Sequence, residues 1–121
     1  MNKSLNVIDL FAGAGGMSEG FAQAGFNIVA ANELLECAAK TFSLNHKSTK
    51  MIVGDISKLS PKEFLNKCNL KKEIVDIIIG GPPCQGFSMA NRQRLRVDPR
   101  NKLYNYFVQF VDYIHTRLFV M

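Results

Sequence analysis

Nine residues, Gly80-Gly81-Pro82-Pro83-Cys84-Gln85-Gly86-Phe87-Ser88, carry the clearest chemical opportunity in this 121-residue chain. They follow the apolar run Ile77-Ile78-Ile79, so a buried strand delivers a cysteine onto a Gly/Pro turn. Two consecutive prolines fix their own φ angles, and Pro83 also biases Pro82 towards extended backbone. A thiol held out on such a turn is posed for nucleophilic attack; the plainer alternative is a small buried cysteine that merely ends a strand. An ordinary thiol titrates near ~8.5 and is only slightly ionised at neutral pH. Cys84 therefore needs either a positive environment or deprotonation during attack.

A second constellation lies near the N-terminus. Val7-Ile8-Asp9-Leu10-Phe11 reads as a short buried strand, followed by Ala12-Gly13-Ala14-Gly15-Gly16 and a helix from about Ser18 to Ala24. Strand, glycine loop and helix make the layout of a nucleotide-type cofactor site, where glycines let backbone turn sharply and approach a ligand. The dinucleotide fingerprint wants a third glycine where Ser18 stands, which disfavours NAD and FAD. Phe26-Asn27-Ile28-Val29-Ala30-Ala31 is a second strand, and Glu33 at its end lies twenty positions after Gly13. Rossmann-type folds place a carboxylate at that offset to accept hydrogen bonds from ribose hydroxyls. Met51-Ile52-Val53 forms a third strand, ending in Gly54-Asp55-Ile56.

The cysteine nonapeptide resembles the Pro-Cys nucleophile loop of the cytosine-C5 DNA methyltransferases. Phe11-Ala12-Gly13-Ala14-Gly15-Gly16 resembles the S-adenosylmethionine motif of the same family. The resemblance implies that Cys84 adds covalently to C6 of a flipped cytosine in double-stranded DNA, with S-adenosylmethionine as methyl donor. It implies a cofactor site built from Phe11, Ala12, Gly13, Gly16, Glu33, Leu34, Asp55, Ile56, Gly81 and Pro83, in which Asp55 meets the exocyclic amine of adenine. Asp98-Pro99-Arg100-Asn101-Lys102-Leu103 resembles the family's continuation, with Leu103 either touching the adenine or serving as a core leucine. An RNA-methylating relative of the same fold is the alternative, against which Gly86-Phe87-Ser88 stands where tRNA-methylating members typically carry Pro-Phe-Thr.

Elements to position these residues follow from the alternation of apolar runs. Strands near residues 6–11, 26–31, 51–54 and 74–79 alternate with helical stretches near 17–24, 34–45 and 60–68. That alternation argues for an α/β domain of right-handed βαβ units around a parallel sheet. Related methyltransferases have a Rossmann-like fold with strand order 3-2-1-4, which would set the glycine loop and the Cys84 loop on either side of one crevice. Leu103, Phe107, Phe110, Val111 and Ile114 recur at helical spacing, and Leu118-Phe119-Val120-Met121 opens a fifth strand. All 121 residues make a single domain.

Fifteen Lys+Arg against ten Asp+Glu give a formal charge of +5. The excess is local: Arg92, Arg94, Arg96, Arg100 and Lys102 face only Asp98. A basic segment directly after the nucleophile suits phosphate contacts, so Gln85, Ser88, Arg92, Arg94 and Arg96 are the candidate nucleic-acid residues. The scattered lysines from Lys47 to Lys72 read as solubilising surface. Cys37 and Cys68 form no CxxC pair, and with two distant histidines they make no metal site. His46 and His115 read as surface or packing residues. Unpaired cysteines and the lack of a signal peptide or membrane-length apolar run favour a cytoplasmic protein without membrane contact.

The resemblance spans nearly all of these residues but only the first part of the family's pattern. Its Glu-Asn-Val motif, Gln-x-Arg-x-Arg segment, target-recognition domain and C-terminal asparagine motif are not among them. The expectation is therefore an incomplete methyltransferase fold, either a truncated product, a cut piece or one subunit of a split enzyme with a separately encoded C-terminal half. The apolar strand Val75-Asp76-Ile77-Ile78-Ile79 would then present an exposed edge and drive self-association.

Overall fold

The computed structural model describes residues 3–83 and 102–121. In chain order the elements are β1 (Asn6–Leu10), α1 (Gly16–Gln23), β2 (Asn27–Glu33), α2 (Glu36–Asn45), β3 (Lys50–Val53), α3 (Pro61–Lys67), β4 (Ile77–Gly80), α4 (Leu103–Ile114) and β5 (Leu118–Val120). Short 3-10 turns at Ile56–Lys58 and Lys72–Ile74 precede α3 and β4. The five strands run in the order β3-β2-β1-β4-β5, and every neighbouring pair is parallel. The parallel α/β sheet is the one expected from the alternation, and its order is the Rossmann-like 3-2-1-4 that the resemblance implied, with the expected fifth strand beside β4.

Side chains alternate across the pleat, so β1 feeds two cores. Ile8 and Leu10 join Ile78, Phe64, Phe107, Phe110 and Ile114 on the side covered by α3 and α4. Val7 points the other way, to Ile28, Ala31, Phe42, Ile77 and Ile79 beneath α1 and α2. The first two crossovers lay their helices on one face and the later ones on the other. The chain thus reverses its winding between β1 and β4, and that reversal opens a crevice at the carboxyl ends of the strands.

Local sequence chemistry sets the helix ends. Ser60 accepts from the Glu63 N–H while the Glu63 carboxylate accepts from the Ser60 N–H, a capping box with Pro61 in the first turn of α3. In α4 the spacing of Phe107, Phe110 and Ile114 puts one apolar stripe on the sheet, where all three are buried. Complete burial of one such phenylalanine is worth about 1.5–3 kcal/mol.

Two expectations need correction. The fourth strand begins at Ile77 rather than near residue 74, because the Ile74 and Val75 N–H groups bond back to Lys71 and Lys72 in a 3-10 turn. The outer edge of the sheet is also not β4. Leu118, Phe119 and Val120 pair in parallel with Ile77, Ile78 and Ile79, so a three-residue β5 covers that strand. The exposed side chains are instead those of β5 itself, each at least 39% exposed.

Candidate functional site

The site begins where β1 ends. Phe11 adopts a left-handed backbone (φ 54°), unusual for a residue with a bulky side chain, and turns the chain out of the sheet. The Ala12 N–H donates to the Asn32 carbonyl at 3.0 Å, fastening the start of the loop to β2. Gly15 then takes φ 98° to open α1. A Cβ there would stand 2.8 Å from the Phe42 ring and 3.0 Å from His46 Nε2, so the loop rests directly on two rings of α2 and its C-terminal end. His46 is thus a packing residue, buried, stacked on Phe42 with ring centroids 4.7 Å apart, and 3.7 Å from the Glu19 carboxylate.

Glu33 closes the loop from the side. One carboxylate oxygen accepts the Gly13 N–H at 2.6 Å, and the other accepts the Leu35 N–H at 3.1 Å. The twenty-residue offset read from the sequence is realised as this contact. Asp55, at the end of β3, accepts the Ser57 N–H at 2.9 Å and caps the following 3-10 turn. Hydrogen bonds from Ser57, side chain and then backbone, hold the Asp55 carboxyl below the usual carboxylate range.

These strand ends enclose a cleft of about 290 Å³. Its walls are Phe11 after β1, Asn32 to Leu35 at the end of β2, Gly54 to Ile56 after β3, Gly81 and Pro83 after β4, and Leu103 at the start of α4. Leu103 lines the cleft. Ala12, Gly13 and Gly16 do not line the cleft; Gly13 reaches it through its bond to Glu33. A larger depression of about 510 Å³ lies between α2 and β3, reaching from Leu44 to Val53 at the end of β3. Its charged residues, Glu36 and Lys40, face each other at 3.8 Å.

β4 brings Gly81 and Pro83 to this cleft by close approach to β1. A Cβ on Gly80 would collide with the Leu10 carbonyl oxygen and press on the Phe107 ring, so only glycine lets β4 end so near β1. Cys84, Gln85, Ser88, Arg92, Arg94 and Arg96 lie outside the described residues. Of the other cysteines, Cys37 is exposed, whereas Cys68 is buried, and burial pushes its thiol up to about 11.

Sequence reasoning missed several supporting residues. Asn32 is buried and donates through its side-chain amide to the carbonyls of Ile52 and Gly54, tying β2 to the end of β3. Asp9 is buried and accepts the Ser18 hydroxyl at 2.6 Å, bolting α1 onto β1. Burial pushes the Asp9 carboxyl up to about 6; the Ser18 hydrogen bond opposes this and the Glu33 charge adds to it. An aspartate inside an apolar strand was the available signal for Asp9. Nothing in the sequence singled out Asn32. Among the described residues no cluster of three or more His, Cys, Asp or Glu could hold a metal, and no helix is long and apolar enough to cross a membrane.

A family model for the C-5 cytosine-specific DNA methylases matches residues 5–121. The chain is 44% identical over 117 residues to the type II methyltransferase M.DdeI of Desulfomicrobium norvegicum, covering 97% of this chain and 27% of that protein. It is 42% identical over 120 residues to the type II methyltransferase M1.HphI of Haemophilus parahaemolyticus, covering 98% and 32%. A crystal structure described as a DNA modification methyltransferase encoded within an E. coli prophage superposes with a TM-score of 0.80 at 39% identity, covering 96% of this chain and 31% of that one. The chain thus spans about a third or less of the length of these relatives. It belongs to the C-5 cytosine-specific DNA methylase family.

Proposed function

We propose that these residues form the cofactor-and-nucleophile part of a DNA (cytosine-5) methyltransferase. The observation that carries this reading is the convergence on one cleft of Glu33, Asp55 and Pro83, the residue before Cys84 in sequence, in a chain of this family. The cleft suits the nucleoside end of S-adenosylmethionine. Its volume is near the lower end of the ~300–1,000 Å³ usual for small-molecule sites. Phe11, Leu34, Ile56 and Leu103 offer apolar walls to a flat ring, and two carboxylates stand at its rim. Each Glu33 oxygen has a lone pair left after its backbone bond, enough to accept ribose hydroxyls. Asp55 accepts from the 6-amino group of adenine. When bound, S-adenosylmethionine supplies an electrophilic methyl group.

Cys84 does the covalent work on the base. C5 of cytosine is too poor a nucleophile to take a methyl unaided. Addition of the Cys84 thiolate to C6 makes C5 enamine-like; after methyl transfer, loss of the C5 proton to a base expels the thiolate. The target must leave the duplex stack for the thiol to reach C6. Gln85, Ser88, Arg92, Arg94 and Arg96, following Cys84 directly, contact the flipped base and flanking phosphates of double-stranded DNA.

The 121 residues by themselves bind cofactor without turnover, since the family's target-recognition and Glu-Asn-Val segments are not among them. Among the described residues the outer edge of β5 pairs with no strand, so it can accept one from a separately encoded second half or from a second copy; sedimentation of the purified chain reports the latter as an oligomer. Calorimetry with S-adenosylhomocysteine tests the cofactor reading, with weak saturable heat expected. No heat and no melting shift at millimolar ligand, from a folded sample, would sink it. Limiting iodoacetamide should label Cys84 before exposed Cys37, with Cys68 last. In a full-length enzyme carrying this segment, Cys84→Ser should abolish methylation while sparing cofactor binding.

A further inference from the structure

Asn32 occupies an unusual junction. It lies on β2, 2% exposed, between β1 on one side and β3 on the other. Its backbone carbonyl accepts the Ala12 N–H at 3.0 Å, the first anchor of the glycine loop. Its side-chain nitrogen donates to the Ile52 carbonyl at 2.8 Å and to the Gly54 carbonyl at 3.1 Å. Both amide hydrogens are thereby used, on carbonyls two residues apart where β3 leaves the sheet. The Gly54 N–H continues the strand pairing by donating to the Glu33 carbonyl at 3.0 Å.

The Gly54 carbonyl belongs to the peptide that leads into Asp55. Gly54 sits at φ 150°, a backbone open to glycine and strained for other residues, so the local chain does little to dictate how that peptide is oriented. The Asn32 amide does. An asparagine is the side chain for the task because it is short, neutral and carries two donors on one nitrogen. Aspartate would set acceptors against two carbonyl oxygens; serine could satisfy only one of them.

We infer that Asn32 is a positioning residue that sets Asp55 relative to Glu33 and the glycine loop, and so presets discrimination for a 6-amino purine nucleoside in the cleft. This rests on the proposed cofactor reading for its ligand, though the positioning itself is a property of the unliganded chain. Thr49 supplies a matched control. Its buried hydroxyl donates to the Ile28 carbonyl at 2.7 Å, also fastening the β3 side of the sheet to β2, but near the opposite end of that strand.

The test compares Asn32→Asp, Asn32→Ser and Thr49→Val in two measurements. The first is amide hydrogen exchange in the unliganded chain. Both Asn32 variants should speed exchange at Gly54 and Asp55 relative to the rest of the sheet, and Thr49→Val should not. The second is binding of S-adenosylhomocysteine against S-inosylhomocysteine, which carries a 6-oxo group in place of the amine. Asn32→Asp should weaken the adenine ligand about tenfold and the inosine ligand little, the loss expected when a hydrogen-bonded contact is misplaced. Asn32→Ser, with one donor and no added charge, should fall between. Thr49→Val should lower the melting temperature and leave the ligand preference unchanged. Equal weakening of both ligands, or exchange that rises uniformly, would reduce Asn32 to a structural residue and overturn the inference. If the wild-type chain binds neither ligand the cofactor reading fails, and the exchange comparison alone then decides whether Asn32 positions Asp55.

Discussion

The carboxyl ends of β1, β2 and β3 are held by different forces from those that hold β4 and β5. In the first region, polar side chains latch the elements together: Glu33 accepts the Gly13 N–H, Asn32 donates to the Ile52 and Gly54 carbonyls, and Asp9 accepts the Ser18 hydroxyl of α1. In the second, position comes from apolar contact. Gly80 lies against the Leu10 carbonyl and the Phe107 ring, Phe107 meets Phe119 edge-on at 6.1 Å, and Phe64 meets Phe110 at 5.4 Å. Directional bonds suit the half that must present carboxylates at fixed spacing. Non-directional packing suffices for the half that has only to deliver a stiff Gly/Pro turn beside it.

The comparison breaks most visibly at Phe107. This ring is fully buried beneath Gly80, so Phe107→Ala should cost about 3–5 kcal/mol in urea unfolding. If packing and latching are separate, molecules that remain folded should keep their ligand preference. A loss below ~1 kcal/mol would mean that the β4 side is held otherwise than by packing.

Asp9 sharpens the other half. Its carboxyl titrates at about 6 in the fold against 3.8 ordinarily, so the folded chain binds that proton more tightly than the unfolded chain does. Stability from this group is full below pH 3.8 and is lost as pH rises through about 6. At ~1.36 kcal/mol per unit the difference is about 3 kcal/mol. Asp9→Asn keeps an acceptor for Ser18 and removes the charge, and should flatten the stability profile between about pH 4 and 7 in chemical denaturation. An unchanged slope would assign the titration to another group.

The smallest effect belongs to a helix end outside both regions. Ser60→Ala removes half of the α3 capping box and should cost about 1 kcal/mol, with no change in ligand preference. A shift in preference would show that α3, packed behind the cleft, transmits strain to Asp55.

Much of this was legible in one dimension. Apolar runs bounded by Gly, Asn and Asp marked β1, β2 and β3, the Ser60-Pro61-Glu63 pattern marks the start of α3, and the stripe from Leu103 to Ile114 marked α4, because each depends on neighbours a few positions away. The Glu33 offset was readable too, since one βαβ unit fixes how far the second strand end lies from the glycine loop. What tertiary structure alone decided was partnership across strands. Asn32 could not be told from any other asparagine until β3 was laid beside β2, twenty residues on. The Phe42–His46 platform under Gly15 and the left-handed turn at Phe11 were equally invisible. Each is set by atoms distant in the chain that meet only after the sheet has formed, and local propensity carries no information about which atoms those are.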